Sequence, residues 1–88
     1  MSEPIHILLV EDDLAWEKYF REAVAQSLDN TFRFSFAGDL KTAMEKLADD
    51  KSIQLVMLDL MLPDSEALNT LQVMSEKTKY LPIIVLST

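Results

Sequence analysis

The sequence predicts an α/β domain, a doubly wound parallel sheet with helices on both faces. Three observations predict it. Ile5–Val10 (IHILLV) and Ile53–Leu58 (IQLVML) are short, mostly apolar runs, the pattern of strands buried on both faces. Apolar residues at helical spacing occupy the intervals between strand candidates. Strand and helix patterns alternate from one end to the other, β-α-β-α-β-α-β, and crossovers of this length join parallel strands.

The elements follow in order. Met1–Pro4 is a polar lead-in to the first strand. His6, in that strand, is the single histidine, and reads as a packed or edge residue because no second histidine completes a metal set. Glu11-Asp12-Asp13 ends the strand, with Asp12 or Asp13 as the expected N-cap of a helix. Trp16, Tyr19, Phe20, Ala23, Val24 and Leu28 recur on one helical face, which places Trp16 and Phe20 in the core. Asp29-Asn30 breaks that helix. Phe32, Phe34 and Phe36 alternate with Arg33 and Ser35, a strand buried on one face only, as at a sheet edge. The same aromatics could stack single-stranded nucleic acid, but that use demands a basic groove. Gly38 marks a turn, and Asp39 is a cap for a second helix with Leu40, Ala43, Met44, Leu47 and Ala48 inward.

The third strand is expected over Ile53–Leu58, since Pro63 cannot donate to a sheet ladder. Asp64-Ser65-Glu66 has the chemistry of a helix start. Ala67, Leu68, Leu71 and Met74 give that helix its apolar stripe, and Glu76–Tyr80 closes it. Pro82 then opens a fourth strand, Ile83–Leu86, followed by Ser87-Thr88.

Composition narrows the function. The chain has 88 residues, room for one small domain, and 49% of them are hydrophobic. Its net charge of −7 argues against binding nucleic acid or an anionic membrane surface. Without cysteine there is neither a disulfide framework nor a thiolate zinc site. No apolar run approaches a membrane span, and the N-terminus lacks the pattern of a signal peptide, so a cytoplasmic protein is expected.

The acids carry the chemistry. Asp59 stands where the third strand gives way to a loop, and ligands of open parallel sheets bind outside the carboxyl ends of strands. The first strand also runs into acids. Parallel neighbours end on one edge, which would gather Glu11, Asp12 and Asp59. Clustered carboxylates raise one another's pKa unless a cation sits among them. An oxygen-only ligand set with room for water suits Mg²⁺.

LLVEDD at Leu8–Asp13, LDLMLPD at Leu58–Asp64 and PIIVLST at Pro82–Thr88 together resemble the receiver domain of two-component response regulators. The resemblance spans residues 1–88 as one domain and implies a flavodoxin-like sheet in strand order 2-1-3-4. It implies that a complete receiver continues through another helix, a fifth strand and a final helix, so that the domain here is incomplete at its C-terminus. It implies Asp59 as phospho-acceptor, Glu11 and Asp12 as the acidic pair for Mg²⁺, and the Met61 backbone carbonyl as a third protein ligand alongside the Asp59 carboxylate. Ser87 matches the switch hydroxyl and Pro63 the proline of the acceptor loop. The implied partners are a sensor histidine kinase or a phosphotransfer protein. Phosphotransfer would be onto the chain itself, so the chain is not expected to be an enzyme.

Two departures from the family pattern stand out. Ala67 replaces a customary glycine, and the family's lysine belongs to the strand beyond Thr88. Lys77 and Lys79 precede the fourth strand and so belong at the opposite end of the sheet. A haloacid-dehalogenase-like phosphatase would carry a second acid at Met61, and a Rossmann or P-loop domain needs more than one glycine. The remaining alternative is a receiver-derived interaction or oligomerisation module. It is favoured by the apolar fourth strand, which as a sheet edge invites self-association.

Overall fold

The computed structural model describes residues 4–26, 31–79 and 81–86. In order the elements are β1 (Ile5–Val10), α1 (Leu14–Gln26), β2 (Phe32–Ala37), α2 (Leu40–Asp49), β3 (Leu55–Asp59), α3 (Ala67–Lys77) and β4 (Ile83–Leu86). The strands form one sheet in the order β2-β1-β3-β4. Every pairing is parallel, with Val10 beside Ala37 and Leu58, and Asp59 beside Leu86. This is the flavodoxin-like order 2-1-3-4. Ser87, Leu28 and the Asp29-Asn30 break lie outside the described residues.

Side chains alternate across the sheet, so its two faces have separate cores. Leu8, Val10, Val56 and Leu58 point to one face and pack with Leu40, Ala43 and Leu47 of α2 and Met74 of α3. Ile7 and Leu9 are buried on the other face, the side of Phe34. There Phe20 of α1 lies against Phe34, with ring centroids 5.4 Å apart. Arg21 sits over the Phe36 ring at 4.3 Å.

The expected burial of Trp16 is corrected: it is 51% exposed, and Tyr19 is more exposed still. Trp16, Tyr19 and Phe20 pack on one another with centroids 5.9–6.1 Å apart, but only Phe20 reaches the sheet aromatics. An apolar helical stripe is buried only as far as a partner surface extends. The same holds for α3, where Leu68 is 70% exposed while Thr70 is fully buried. Thr70 needs no apolar partner because its hydroxyl donates to the Glu66 carbonyl at 2.9 Å.

Helix starts follow local chemistry except in one case. Asp13 opens α1, its Oδ1 accepting the Ala15 N–H at 2.9 Å. Asp39 opens α2, accepting the Thr42 N–H at 2.7 Å. At α3 the N-cap is Glu66, which makes no side-chain capping bond. Asp64, expected to serve that helix, instead turns back to the N-terminus of α2.

At the N-terminal edge of the sheet His6 is buried, as a packed residue. Its Nε2 lies 2.6 Å from Ser35 Oγ, and its Nδ1 lies 2.8 Å from Ser52 Oγ and 3.0 Å from Arg33 Nη2. Arginine can only donate, so Nδ1 is the acceptor and the proton sits on Nε2. Lys77 and Lys79 line a pocket with Asp50 and Lys51, far along the strands from Asp59, as their positions before β4 require.

Candidate functional site: an acidic pocket at the carboxyl edge

The site begins with the register. β1 and β3 are adjacent, with Val10 beside Leu58, so the residues that follow each strand emerge together. Glu11, Asp12 and Asp59 each offer a carboxylate oxygen, and these oxygens lie within 4.8 Å of one another. Asp59 is only 3% exposed, Glu11 is half-buried and Asp12 is exposed. The strand that delivers Asp59 runs Leu55–Asp59, so the acid is its last residue rather than the first of the loop.

Two of the three acids, Glu11 and Asp59, are held by backbone. The Glu11 N–H donates to the Ala37 carbonyl at 2.9 Å, fastening the β1–α1 loop to the end of β2. The Asp13 N–H donates to Glu11 Oε1 at 3.1 Å. The Met61 N–H donates to Asp59 Oδ1 at 2.9 Å. Among the described residues, no lysine, arginine or histidine forms an ion pair with any of the three acids.

The electrostatic consequence falls on Glu11. Burial, together with the neighbouring Asp59 and Asp12 carboxyls, pushes its pKa up to about 7, against the opposing pull of the Asp13 N–H. Such a cluster can relieve its repulsion by holding a proton or by holding a cation. The donor set is all oxygen and partly open to water, which fits a hard divalent ion such as Mg²⁺.

Ala67 is the first residue of α3, where alanine is at least as good as the customary glycine. Pro63 sits in a tight turn, in which the Ser65 N–H donates to the Leu62 carbonyl at 3.3 Å. The sequence pattern overlooked Asp64. Its signal was an acid after Pro63, which is equally the signal of a cap for the following helix.

A doubly wound parallel sheet with strand-end carboxylates gathered at its carboxyl edge defines the class of receiver-like α/β domains. The response regulator receiver domain family matches residues 7–88, and the chain belongs to that family. No curated protein sequence matches it. Among solved structures, the chain is similar to the MaeR response regulator bound to beryllium trifluoride, at 28% identity and TM-score 0.76, covering 93% of this chain and 66% of that one. It is also similar to the non-phosphorylated HemR receiver domain from Leptospira biflexa, at 32% identity and TM-score 0.72, covering 92% and 62%. A third is the phosphorylated cyanobacterial phytochrome response regulator RcpA, at 30% identity and TM-score 0.79, covering 97% and 66%. The chain thus spans about two thirds of the length of these solved chains.

Proposed function

We propose that this chain is a phospho-accepting receiver, with Asp59 as the nucleophile. The observation that carries the reading is the buried Asp59 carboxylate, at the end of a central strand and grouped with Glu11 and Asp12. An Asp59 oxygen attacks phosphorus of a phosphohistidine or a small acyl phosphate. The bond from phosphorus to the donor breaks, the donor keeps its electron pair, and an acyl phosphate remains on Asp59. Positioning and charge stabilisation do most of the work in such transfers. The Met61 N–H orients the nucleophile by holding Oδ1.

Glu11, Asp12 and Asp59, with the backbone carbonyl of Met61, would hold Mg²⁺. A bound Mg²⁺ supplies the positive charge that lets a phosphate approach three carboxylates. The product adds about −1.5 to −2 charges, enough to bias a two-state surface. Ser87 would then hydrogen-bond the phosphoryl group. The donor would be a sensor histidine kinase or a phosphotransfer protein. The transfer is onto the chain itself, so the chain is no turnover enzyme.

A cytoplasmic place of work belongs to the same reading, since it goes with the receiver family; among the described residues no helix is long and apolar enough to cross a membrane. The description of RcpA as phosphorylated, at 30% identity, supports the same chemistry. Intact-mass measurement with a small acyl phosphate tests it. Labelling should require Mg²⁺ and vanish in Asp59→Ala; labelling in chelator, or in the variant, refutes it.

A second reading, a module that works by association alone, is favoured by β4. It forms one edge of the sheet, and Ile84 and Val85 are 48% and 46% exposed.

A further inference from the structure

The first turn of α2 is capped by two acids, one of them from a distant loop. An α-helix leaves its first N–H groups without intrahelical partners. In α2 the Thr42 N–H goes to Asp39, the local cap, at 2.7 Å. The Leu40 N–H goes to Asp64 Oδ1 at 2.8 Å, and the Lys41 N–H to Asp64 Oδ2 at 3.0 Å. Asp64 is 24 residues away from Leu40, in the turn that follows β3. Both its oxygens are therefore committed to the helix. Charge-assisted bonds from backbone N–H groups to a carboxylate are among the stronger hydrogen bonds, and the helix dipole adds to them.

The same turn is seated by a second contact. Leu62 is buried in the core beside α2. Between Asp59 and these two anchors lies Met61, whose N–H holds Asp59 Oδ1. The other end of the frame is also fastened, since α2 follows directly on β2, whose last carbonyl, at Ala37, holds the Glu11 N–H. A circuit of backbone and hydrogen bonds thus runs from Glu11 through Ala37, Asp39 and Leu40 to Asp64, Met61 and Asp59.

We propose that Asp64 is a positioning residue for the acidic pocket: by clasping the N-terminus of α2 it fixes the β3–α3 turn, and so sets where Met61 and the Asp59 carboxylate stand. This rests on the reading of that pocket as a Mg²⁺ site. Asp64 is not one of the acids grouped in the pocket, and both its oxygens are bonded to α2. Its effect passes through the turn.

Asp39 supplies the control. It caps the same helix, and among the described residues its side chain bonds the Thr42 N–H and not the turn, so Asp39→Ala weakens α2 while leaving the turn held. The experiment compares wild type, Asp64→Ala, Asp64→Asn and Asp39→Ala by amide NMR, first in chelator and then through a Mg²⁺ titration. In chelator, Asp64→Ala should move the Met61 and Leu62 amide signals and Asp39→Ala should not. With Mg²⁺, Asp64→Ala should bind roughly tenfold more weakly, the size typical of losing an outer support of a metal site. Asp64→Asn keeps one acceptor oxygen and should fall between. Thermal midpoints should drop in both alanine variants.

Equal stability losses with an unchanged Mg²⁺ affinity in Asp64→Ala would reduce Asp64 to an ordinary cap and overturn the proposal. Should Asp64→Ala fail to fold, Asp64→Asn decides on the same two readouts. A wild type with no saturable Mg²⁺ response defeats the ion reading itself. In that case the chelator spectra still decide: Met61 follows Asp64 if the turn is held as described, and an unmoved Met61 overturns that as well.

Discussion

Asp59 and Met61 form a clasp at the end of β3, the Met61 N–H donating to Asp59 Oδ1 at 2.9 Å. The bond turns a buried acid into an oriented one and ties it to the loop that follows. It also makes the pocket's electrostatics separable from its geometry, because an amide in place of the acid keeps the acceptor oxygen and removes the charge.

Asp59→Asn is therefore expected to stabilise the protein in chelator by about 0.5–2 kcal/mol, the range of surface-charge and active-site relief. One of three clustered acids is neutralised while the clasp to Met61 persists. The same change should abolish the saturable Mg²⁺ response. Thermal unfolding in chelator and a Mg²⁺ titration check the two halves. A destabilised Asp59→Asn would mean that the cluster carries no repulsion.

Glu11 gives the pocket a pH dependence. Its folded pKa, raised to about 7 from the usual 4.5, exceeds its unfolded value. Between those values the folded chain binds more protons than the unfolded one, so stability in chelator falls as pH rises through that window. A metal ion needs the ionised form, so Mg²⁺ affinity should rise over the same window and level off above it. Denaturant unfolding of wild type and Glu11→Gln checks it, the variant losing that slope.

His6 works in the opposite sense. Burial, then the Arg33 guanidinium, lowers its pKa from 6.5, with Asp50 pulling the other way. The unfolded chain then binds the proton first. The contribution is present above the usual histidine value and is lost as pH falls below it, through the lowered folded value. As the only histidine, its imidazole can be followed directly by NMR. Arg33→Ala should raise its midpoint and Asp50→Asn should lower it further.

Gly38 is replaceable. Its φ is not positive, and a Cβ built there meets nothing within 4 Å. Gly38→Ala should stabilise by about 0.4–1 kcal/mol, by restricting the unfolded chain. A loss of stability on chemical denaturation would mean that the turn before α2 needs glycine's freedom after all.

The β4 edge should make this 88-residue chain self-associate at micromolar concentration. Ile84 and Val85 are each about half exposed, and a large apolar side chain left fully in water forgoes roughly 1.5–3 kcal/mol of burial. Ile84→Lys should shift sedimentation toward monomer. A wild type that is monomeric throughout would show that the edge is tolerated.

Much of this was legible in the residues because buried parallel strands have a local signature. Two apolar runs, each broken by acids, located Glu11, Asp12 and Asp59 at strand ends, and helical spacing between the runs required crossovers. Asp39 and Asp13 were legible as caps because a cap acts on N–H groups two or three residues away. Other features depended on long-range pairing. That β1 lies beside β3, bringing the acids within 4.8 Å, is a property of strand order, which alternation does not specify. The raised pKa of Glu11 follows first from its burial and then from that adjacency, two conditions that exist only in the folded chain. Trp16 and Leu68 have perfectly good apolar spacing, yet their exposure is set by how far the opposing surface extends. Asp64 is the sharpest case. An acid after a proline has the same local chemistry whether it caps the helix that follows or one that began 24 residues earlier, and only the packing of the β3–α3 turn against α2 chose between them.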